Sequence, residues 1–515
     1  MSSVLIATTY VPFPPWALLF CFVPLWLWLN EPQRTGRGAF FGGWLTQFVF
    51  TLIGNHWIAH TAKEFGYFPW PLAILVLLLF AAFIHLHVPM ASYLSVVLRN
   101  RLNLRGARFF FVMALVFSLV ERIWPMIFPY NMGYTLLWAQ WPVYQWADVI
   151  GFSGLSSIIF LINAWIAWMW VQRHDTKRVL RHAGVLAFLL GGFTLAGLWH
   201  ARTWQHTDAE VKALVVQANI GNLEKAYAEQ GRGFLFGITS KFVELTQKGL
   251  SEHPDADLVV WPETAFPDSP DRPEFSQSRL DQIAAGLGPL EKPLLIGAYS
   301  KDPSPTGRAR DALTYNAVFL LDSRGKPLDQ PYRKTDLLMF GEYLPLSETF
   351  PILLEWLPFI SNFGRGQGPM VLNWQRPTGE VRLGPQICYE GLFPDFSRGL
   401  ALKGAEVLVN VTNDSWFGTP FEPRQHMNKT LARAIEVRRP LVRSTNTGIS
   451  TAILADGTQL QRSPSDQEWT GLYRIPYKQN PPLTFYTRYG HWDWLLLCLA
   501  LLLLLKMRGN KEDHA

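Results

Sequence analysis

Long apolar runs alternate with short basic connections through the first 200 residues of the chain, and one more run lies near its end. Most of these runs approach the ~20 residues that an α-helix needs to cross a bilayer. Tryptophans and basic residues flank the shortest run as interfacial anchors. We therefore predict a spanning helix in each of seven runs, near residues 14–30, 39–58, 69–97, 108–128, 153–171, 182–199 and 492–505.

The start of the chain leaves the count open at seven or eight spans. Residues 1–11 are apolar but short, and Pro12, Pro14 and Pro15 break a helix at this point because proline has no backbone N–H. We expect no cleavable signal peptide, since this segment has neither a basic start nor a small-residue cleavage site.

The basic residues occupy alternate connections, which predicts an orientation. Arginine and lysine cluster at residues 34–37, 99–108, 173–181 and 506–511, whereas residues 129–150 contain neither. The positive-inside rule places the basic connections in the cytoplasm. By parity, residues 200–490 emerge on the opposite side, so we expect a multi-pass protein of a bacterial inner membrane whose large domain faces the periplasm.

One predicted span carries two adjacent ionisable residues, Glu121 and Arg122, near its non-cytoplasmic end. Such groups are costly in a bilayer unless they are paired or face protein or water. A structural pair or interfacial anchors would explain them, and so would contact with a lipid headgroup. The sequence leaves both interpretations open.

The pattern changes between about residues 212 and 477, where short Val/Leu/Ile runs alternate with more polar stretches. Helix candidates lie near 234–250, 276–286 and 424–439, and strand candidates at 213–217, 258–261, 294–297, 318–321, 383–387, 407–411 and 441–444. This alternation predicts a layered α/β domain with helices covering a mixed sheet. We divide the chain into an N-terminal multi-pass membrane domain (1–200), an extracytoplasmic domain (201–488), and a C-terminal transmembrane helix with a cytoplasmic tail (489–515).

Composition agrees with a protein of two kinds of domain. The chain has 515 residues, 49% of them hydrophobic, and 22 tryptophans, which is too long for one ordinary domain and too apolar for an all-soluble protein. Its three cysteines cannot build a disulfide framework. Cys21 and Cys498 fall within apolar runs, where packing is the expected role. Cys388 is the cysteine outside these runs, and we expect it to stay unpaired.

Three chemically distinct side chains lie at or beyond the ends of predicted strands. Glu263 ends Trp-Pro-Glu, Lys334 lies in Tyr-Arg-Lys-Thr, and Cys388 lies in Ile-Cys-Tyr-Glu. A thiol is mostly protonated at neutral pH, so a nucleophilic cysteine needs a nearby base or cation. Taken singly, Glu263 could be a solvated strand end, Lys334 a surface charge and Cys388 a small core residue.

The order and context of these residues resemble the Glu-Lys-Cys triad of the nitrilase (carbon-nitrogen hydrolase) superfamily. Together with spans on both sides, the chain resembles the apolipoprotein N-acyltransferases over nearly its whole length. Three further motifs carry this resemblance: Phe340-Gly341-Glu342-Tyr343-Leu344-Pro345, Asn413-Asp414-Ser415-Trp416-Phe417-Gly418, and the stretch 439–450 from Arg-Pro-Leu to Gly-Ile-Ser. The resemblance implies an α-β-β-α sandwich for the second domain, with Glu263 as base, Lys334 as oxyanion-stabilising cation and Cys388 as nucleophile.

Supporting residues follow from the same resemblance. Glu342 is expected to orient the lysine or tune Glu263, although a surface salt bridge is the simpler explanation of its spacing. Tyr389 and Glu390 are expected to shape the nucleophile's pocket, with packing and capping as the alternative. Trp416 could stack in the core or line an entrance for acyl chains.

Two departures from the family pattern accompany the match. The first family helix is cut to about ten residues. The tryptophan expected shortly after residues 216–220 is absent, and Ala226 and Tyr227 stand at that place, so Tyr227 becomes a candidate substrate contact.

An apolar stretch and a glycine-rich stretch lie between the lysine and the cysteine. Residues 350–360 could dip into the membrane interface or cover the domain's own core. Gly364, Gly366 and Gly368 suggest a pliable arm.

The resemblance implies transfer of an acyl chain from a membrane phospholipid, through a cysteine thioester, to the α-amino group of a diacylglyceryl-cysteine at the N-terminus of an apolipoprotein. It implies the sn-1 chain, with phosphatidylethanolamine as the favoured donor. A membrane-anchored amidase or nitrilase with water as acceptor is the main alternative. A non-catalytic scaffold and a transporter are weaker ones, since only Glu121 and Arg122 stand out within the spans.

Other ligands are not indicated. The histidines show no ligand-like pairing with cysteine or carboxylates, and neither a phosphate-binding loop nor a dinucleotide fingerprint follows a strand. Membrane topology explains the basic loops, so no nucleic-acid partner is needed. We therefore expect no cofactor or metal, with the bilayer, a phospholipid and an apolipoprotein as partners. The sequence does not fix the oligomeric state, and a monomer is our working expectation.

Overall fold

The computed structural model describes residues 1–221, 234–303, 312–347, 349–350, 352–356, 360–418 and 420–506. The chain divides into two compact units, Met1–Ala201 with Tyr489–Ala515, and Arg202–Arg488.

Helices make up the regular structure of the first unit in the part of the chain described. They are Ser2–Ala7, Val23–Leu29, Gly36–Gly54, Trp57–Glu64, Trp70–Phe83, His87–Leu102, Gly106–Ile123, Tyr134–Trp138, Ala147–Val171, Thr176–Arg202 and Asp493–Lys506, with a 3₁₀ turn at Pro142–Trp146. Among the described residues, three stretches are long and apolar enough to cross a membrane: Trp70–Leu102, Pro142–Val171 and Thr176–Arg202. The predicted runs 39–58, 108–128 and 492–505 also contain helices. Their status as spans, and the total count, stay predictions.

The prediction of one helix across residues 14–30 is wrong. Only Val23–Leu29 is helical there, and residues 11–22 form turns. The clustered prolines explain the difference because each lacks the N–H that a continuing helix would use. Short-range bonds such as Leu18 N to Pro15 O, 3.3 Å, and Phe20 N to Ala17 O, 2.9 Å, take the place of helical ones.

The adjacent ionisable pair in the first unit has well-defined partners. Glu121 is buried and accepts a hydrogen bond from Asn131 Nδ2 at 3.2 Å. Arg122 donates to both carboxylate oxygens of Asp493, at 2.6 and 2.8 Å. Asp493 begins the C-terminal helix, so Arg122 ties that helix to Gly106–Ile123. These contacts favour a structural role over contact with a lipid headgroup.

The second unit contains two sheets. Among the residues described, eleven strands form them: β1 Ala209–Gln217, β2 Leu258–Val260, β3 Leu294–Lys301, β4 Thr314–Leu321, β5 Tyr332–Arg333, β6 Leu372–Arg376, β7 Gly379–Ile387, β8 Val407–Thr412, β9 Leu441–Thr445, β10 Thr451–Ile453 and β11 Trp469–Tyr477. The first sheet has the order β11-β1-β2-β3-β4-β5 and the second β10-β9-β8-β7-β6. All seven predicted strands are present.

Helices cover both sheets. Phe234–Glu252 and Pro273–Leu287 pack on the first sheet and share its apolar core. Pro394–Leu402 and Phe421–Val437 lie against the second sheet, and the remaining short helices are Ile352–Trp356 and Phe485–Tyr489. The result is the α/β sandwich predicted from the sequence, with apolar strands buried between the layers because both faces of each sheet are covered.

Strand direction determines where the chemistry can gather. β1, β2 and β3 are parallel, and β5 shares their direction because β4 is antiparallel to both β3 and β5. In the second sheet β7, β8 and β9 are parallel. Residues that follow β2 and β5 therefore lie at one edge of the first sheet, and residues that follow β7 and β8 at one edge of the second. Carboxyl-terminal strand edges are where open sheets usually place their ligand sites.

Candidate active site

Glu263 lies three residues beyond the end of β2 and is buried. Its Oε1 accepts a hydrogen bond from Asn316 Nδ2 at 2.7 Å, and its Oε2 accepts one from the backbone N–H of Asn413 at 2.9 Å. Asn316 belongs to the first sheet and Asn413 follows β8 of the second. The carboxylate is therefore fixed from both sheets, and neither contact requires it to be protonated.

Lys334 follows β5 directly and its side chain is 1% exposed. Its Nζ lies 2.7 Å from Glu342 Oε2 and 3.5 Å from Glu263 Oε1. Burial alone would lower the pKa of Lys334, but the carboxylates of Glu342 and Glu263 outweigh it and raise the pKa above its usual value. The lysine is therefore a fixed cation beside the candidate base.

Cys388 is the first residue after β7 and begins the 3₁₀ helix Cys388–Leu392. Its φ of 48° lies in the left-handed region, which is unfavourable for a residue with a side chain. Burial raises the pKa of the Cys388 thiol well above its usual value, Glu263 raises it further, and Lys334 lowers it. The two charges thus have opposite effects on the pKa of the thiol, the carboxylate raising it and the ammonium group lowering it.

Glu342 is in the site and not on the surface. It contacts Lys334, accepts from the N–H of Leu338 at 2.8 Å, and accepts from Asn316 Nδ2 at 3.0 Å. Asn316 thus bridges the two carboxylates, because the same amide nitrogen also donates to Glu263. Asn316 was not among the predicted site residues, although a polar residue inside the apolar strand Thr314–Leu321 is a signal that could have identified it.

Glu390 holds the turn that carries Cys388, the candidate nucleophile. Its Oε2 accepts from the N–H of Ile387 at 2.8 Å, and its Oε1 accepts from the N–H of Thr335 at 2.7 Å and from the hydroxyl of Tyr332. Burial raises the pKa of Glu390 to about 7, against the opposing influence of Lys334 and these donors. The buried carboxylate therefore connects the cysteine turn to the segment that presents the lysine.

Tyr389 and Trp416 are the other predicted site residues in the described part of the chain. Tyr389 is buried, and its ring packs edge-to-face on Phe393 with the centroids 4.7 Å apart. Trp416 is half-buried in the 3₁₀ turn Asp414–Trp416, so its predicted contact with acyl chains stays a prediction. Tyr227 lies outside the described residues.

Each glycine of the glycine-rich stretch donates a backbone hydrogen bond, that of Gly368 going to Thr335 Oγ1 at 3.1 Å, and the pliable arm stays a prediction. The backbone N–H groups of Gly364 and Gly366 donate to the carbonyls of Thr314, at 2.8 Å, and Lys334, at 2.7 Å. A Cβ on Gly366 would lie 2.0 Å from the carbonyl oxygen of Arg333. Glycine is required here because the chain passes so close to the lysine's own backbone.

The sandwich and its carboxylate, lysine and cysteine define a carbon-nitrogen hydrolase domain, and residues 203–476 match the family model described as "Carbon-nitrogen hydrolase". Residues 2–165 match "Apolipoprotein N-acyltransferase N-terminal domain". The chain belongs to the apolipoprotein N-acyltransferases. It is thus an acyltransferase of the membrane, with a nitrilase-like domain.

Relatives of similar length support this assignment. The apolipoprotein N-acyltransferase of Bdellovibrio bacteriovorus is 54% identical over 501 residues, which cover 97% of this chain and 91% of that protein. The one from Geobacter metallireducens is 30% identical and covers 95% of this chain and 90% of its own. A solved carbon-nitrogen hydrolase from Helicobacter pylori G27 has 19% identity and a TM-score of 0.36, over 56% of this chain and 96% of that one.

Proposed function

We propose that the protein transfers an acyl chain from a membrane phospholipid to the α-amino group of the N-terminal diacylglyceryl-cysteine of an apolipoprotein, the last step of lipoprotein maturation. The observation that carries this proposal is the buried arrangement of Glu263, Lys334 and Cys388 in a member of this family. We also retain the domain limits 1–200, 201–488 and 489–515 as part of the proposal.

The first half-reaction makes a thioester. Glu263 takes the thiol proton as Cys388 Sγ bonds to the carbonyl carbon of the donor ester. Lys334 Nζ and a backbone N–H beside Cys388 stabilise the oxyanion that forms. The carbon–oxygen ester bond then breaks, and Glu263 returns the proton to the departing lysophospholipid oxygen.

The second half-reaction makes an amide. The acceptor's α-amino nitrogen bonds to the thioester carbonyl carbon, and Glu263 takes a proton from it. The oxyanion is held as before, the carbon–sulfur bond breaks, and the sulfur recovers a proton from Glu263. The products are an N-acylated lipoprotein and the free thiol, so one carboxylate serves both steps in a ping-pong reaction.

Exposed apolar side chains near the site fit an acyl donor. Phe340, Leu346, Phe350 and Ile352 are between 47% and 67% exposed and follow Lys334 in the chain. Acyl chains resist transfer to water by about 0.8 kcal/mol per CH₂, so a lipid-modifying site gains from an apolar surface. Within residues 350–360, exposed Phe350 and Ile352 support contact with lipid at the start of the segment, whereas Ile360 is 7% exposed and supports coverage of the domain's own core at its end.

Product analysis tests the proposal. Purified protein in micelles receives phosphatidylethanolamine with an isotopically labelled sn-1 chain and a synthetic diacylglyceryl-cysteine peptide. We expect the label in an amide at the peptide's N-terminus, and none when that amine is acetylated beforehand. Labelled free fatty acid in place of the amide would favour the hydrolase alternative. With a second donor labelled only in its sn-2 chain, label in the amide would contradict the proposed regiochemistry.

We also propose that the second unit faces the periplasm. A cysteine at exposed Lys248 should react with a membrane-impermeant thiol reagent once the outer membrane is opened, whereas one at exposed Arg105 should react only after the inner membrane is disrupted. The opposite pattern would contradict the orientation.

A further inference from the structure

The peptide bond between Cys388 and Tyr389 is held by groups outside the Glu-Lys-Cys triad. The carbonyl oxygen of Cys388 lies 3.2 Å from His426 Nε2 and 3.4 Å from Asn410 Nδ2. His426 lies on the buried helix Phe421–Val437 and Asn410 on β8. A carbonyl oxygen can only accept, so Nε2 carries a hydrogen and donates it.

A buried charge network fixes the ring of His426. Its Nδ1 lies 3.0 Å from Asp414 Oδ1, and Arg443 Nη2 donates to Asp414 Oδ2 at 2.8 Å. The second guanidinium nitrogen of Arg443 donates to Asn410 Oδ1 at 2.6 Å, so both groups that hold the carbonyl rest on the same arginine. The side chains of His426, Asp414 and Arg443 are all at most 2% exposed. The network is therefore rigid and shielded from water.

Asp414, Glu422 and His426 are also close enough to be considered as metal ligands, as the one such group within the described ranges. The arginine argues against an ion. Arg443 already neutralises Asp414, and Lys429 is a second buried cation on the same helix as Glu422. The geometry fits a hydrogen-bond network that acts on Cys388.

In a trans peptide the C=O and the following N–H point in opposite directions. Holding the Cys388 carbonyl toward the buried helix therefore directs the N–H of Tyr389 the other way, away from that helix. Cys388 has φ 48°, an unfavourable left-handed conformation that persists only where the surroundings enforce it. The two hydrogen bonds to its carbonyl supply such enforcement.

We propose that His426 is a positioning residue for the acyl-transfer reaction: by holding the Cys388 carbonyl, it aims the Tyr389 N–H at the oxyanion of both tetrahedral intermediates. This inference rests on the proposed function, which identifies the natural substrates. His426 is proposed to affect the stabilisation of the oxyanion and not the reactivity of the thiol.

Two isosteric substitutions separate the two ends of the ring. His426→Gln can place its amide nitrogen where Nε2 lies and keep the bond to the Cys388 carbonyl. His426→Asn can place its amide nitrogen where Nδ1 lies and keep only the bond to Asp414. A purely structural role would make both variants behave alike.

Two reactions of the same thiol give the readout. Acylation by a p-nitrophenyl ester passes through an oxyanion, whereas alkylation by iodoacetamide displaces iodide without one. Both are followed at the Cys388 peptide by mass spectrometry. Because loss of an oxyanion donor costs about 10²–10³ in rate, we expect His426→Asn to acylate at least tenfold more slowly, with alkylation within about threefold of wild type. His426→Gln should recover most of the acylation rate.

Equal loss of both reactions in His426→Asn, or no loss of acylation, would overturn the proposal. If His426→Asn does not fold, Asn410→Ser removes the other donor to the Cys388 carbonyl. This variant should slow acylation several-fold and leave alkylation unchanged. Unchanged acylation in Asn410→Ser would also overturn the proposal. The p-nitrophenyl ester keeps this test independent of lipid. If the enzyme accepts this ester but no phospholipid, the proposed acyl donor is refuted. The acylation and alkylation rates of the His426 variants would still test the role of His426.

Discussion

Glu263→Gln should change two reactions of Cys388 in opposite directions. The carboxylate is the candidate base, so its loss should slow acyl-enzyme formation by roughly 10²–10⁴-fold, the usual contribution of general acid–base catalysis. The same carboxylate raises the pKa of the Cys388 thiol, while Lys334 lowers it. Removing the negative charge should therefore lower that pKa and increase the thiolate fraction at pH 7–8.

The increase in alkylation can be bounded. While the pKa stays above the assay pH, each unit by which it falls gives about tenfold more thiolate. The thiolate also becomes less nucleophilic, with a Brønsted slope of about 0.4–0.5, so alkylation should rise about three- to fourfold per unit. Glutamine can keep only one of the two bonds, to Asn316 or to the Asn413 N–H, that the carboxylate accepts. A small loss of stability, about 1–3 kcal/mol, should accompany the change.

The assay compares rates of iodoacetamide alkylation and of acyl-enzyme formation from phospholipid, both measured by intact mass. Glu380→Gln is the matched control, since Glu380 is exposed on β7 and bonds only Gln375 Nε2 among the contacts described. It should leave both rates unchanged. Slower alkylation in Glu263→Gln would refute the reasoning, because it would mean that the carboxylate promotes the resting thiolate and does not oppose it.

Three further changes test the site and the helical unit. Glu342→Gln removes a negative charge 2.7 Å from Lys334 Nζ. The lost charge-assisted bond is worth about 1.5–3 kcal/mol, so acylation measured in single-turnover kinetics should slow by about 10- to 150-fold. Gly366→Ala should lower the thermal-unfolding temperature and the acylation rate together, since overpacking costs about 1–3 kcal/mol; an unaltered enzyme would contradict the close approach to Arg333. Arg122→Leu leaves Asp493 unpaired, so limited proteolysis should release the C-terminal helix sooner, and the exchanged pair Arg122→Asp with Asp493→Arg should restore resistance.

The sequence predicted the strands that are continuous apolar runs, because burial on both faces leaves an unmistakable pattern. It missed β5, β6 and β10, which all lie at an edge of their sheets. β11 was also missed, although its inward positions alternate as a strand with one buried face should. Local pattern identifies the centre of a sheet more readily than its edges.

The candidate site was predictable where a chemical group is unusual for its position. Glu263, Lys334 and Cys388 each follow a strand, and Glu342 was identified through the family motif. The contact of Asn413 with Glu263 was not predictable, because Asn413 acts through its backbone N–H. His426 was hidden among the polar residues of a helix that is buried on all sides, where an amphipathic pattern has no meaning.

The helical unit shows the opposite limit. Hydropathy located most of its helices but not the breaks between them, since Trp70–Phe83 and His87–Leu102 divide the predicted run 69–97. Nor did it show that the helix of the run 153–171 extends back to Ala147 across a kink at Gly151, whose φ is positive. Such breaks depend on tertiary packing and single glycine or proline residues, to which an averaged hydropathy is insensitive.

The most direct test of the account is the intact mass of the purified enzyme, wild type beside Cys388→Ala, in phospholipid micelles before and after addition of a diacylglyceryl-cysteine peptide. We predict a fatty-acyl increment in the wild type only, mapped to the Cys388 peptide and discharged to the peptide's amine. An increment that persists in Cys388→Ala, or a wild-type enzyme that transfers the chain without ever carrying it, would contradict a thioester at Cys388.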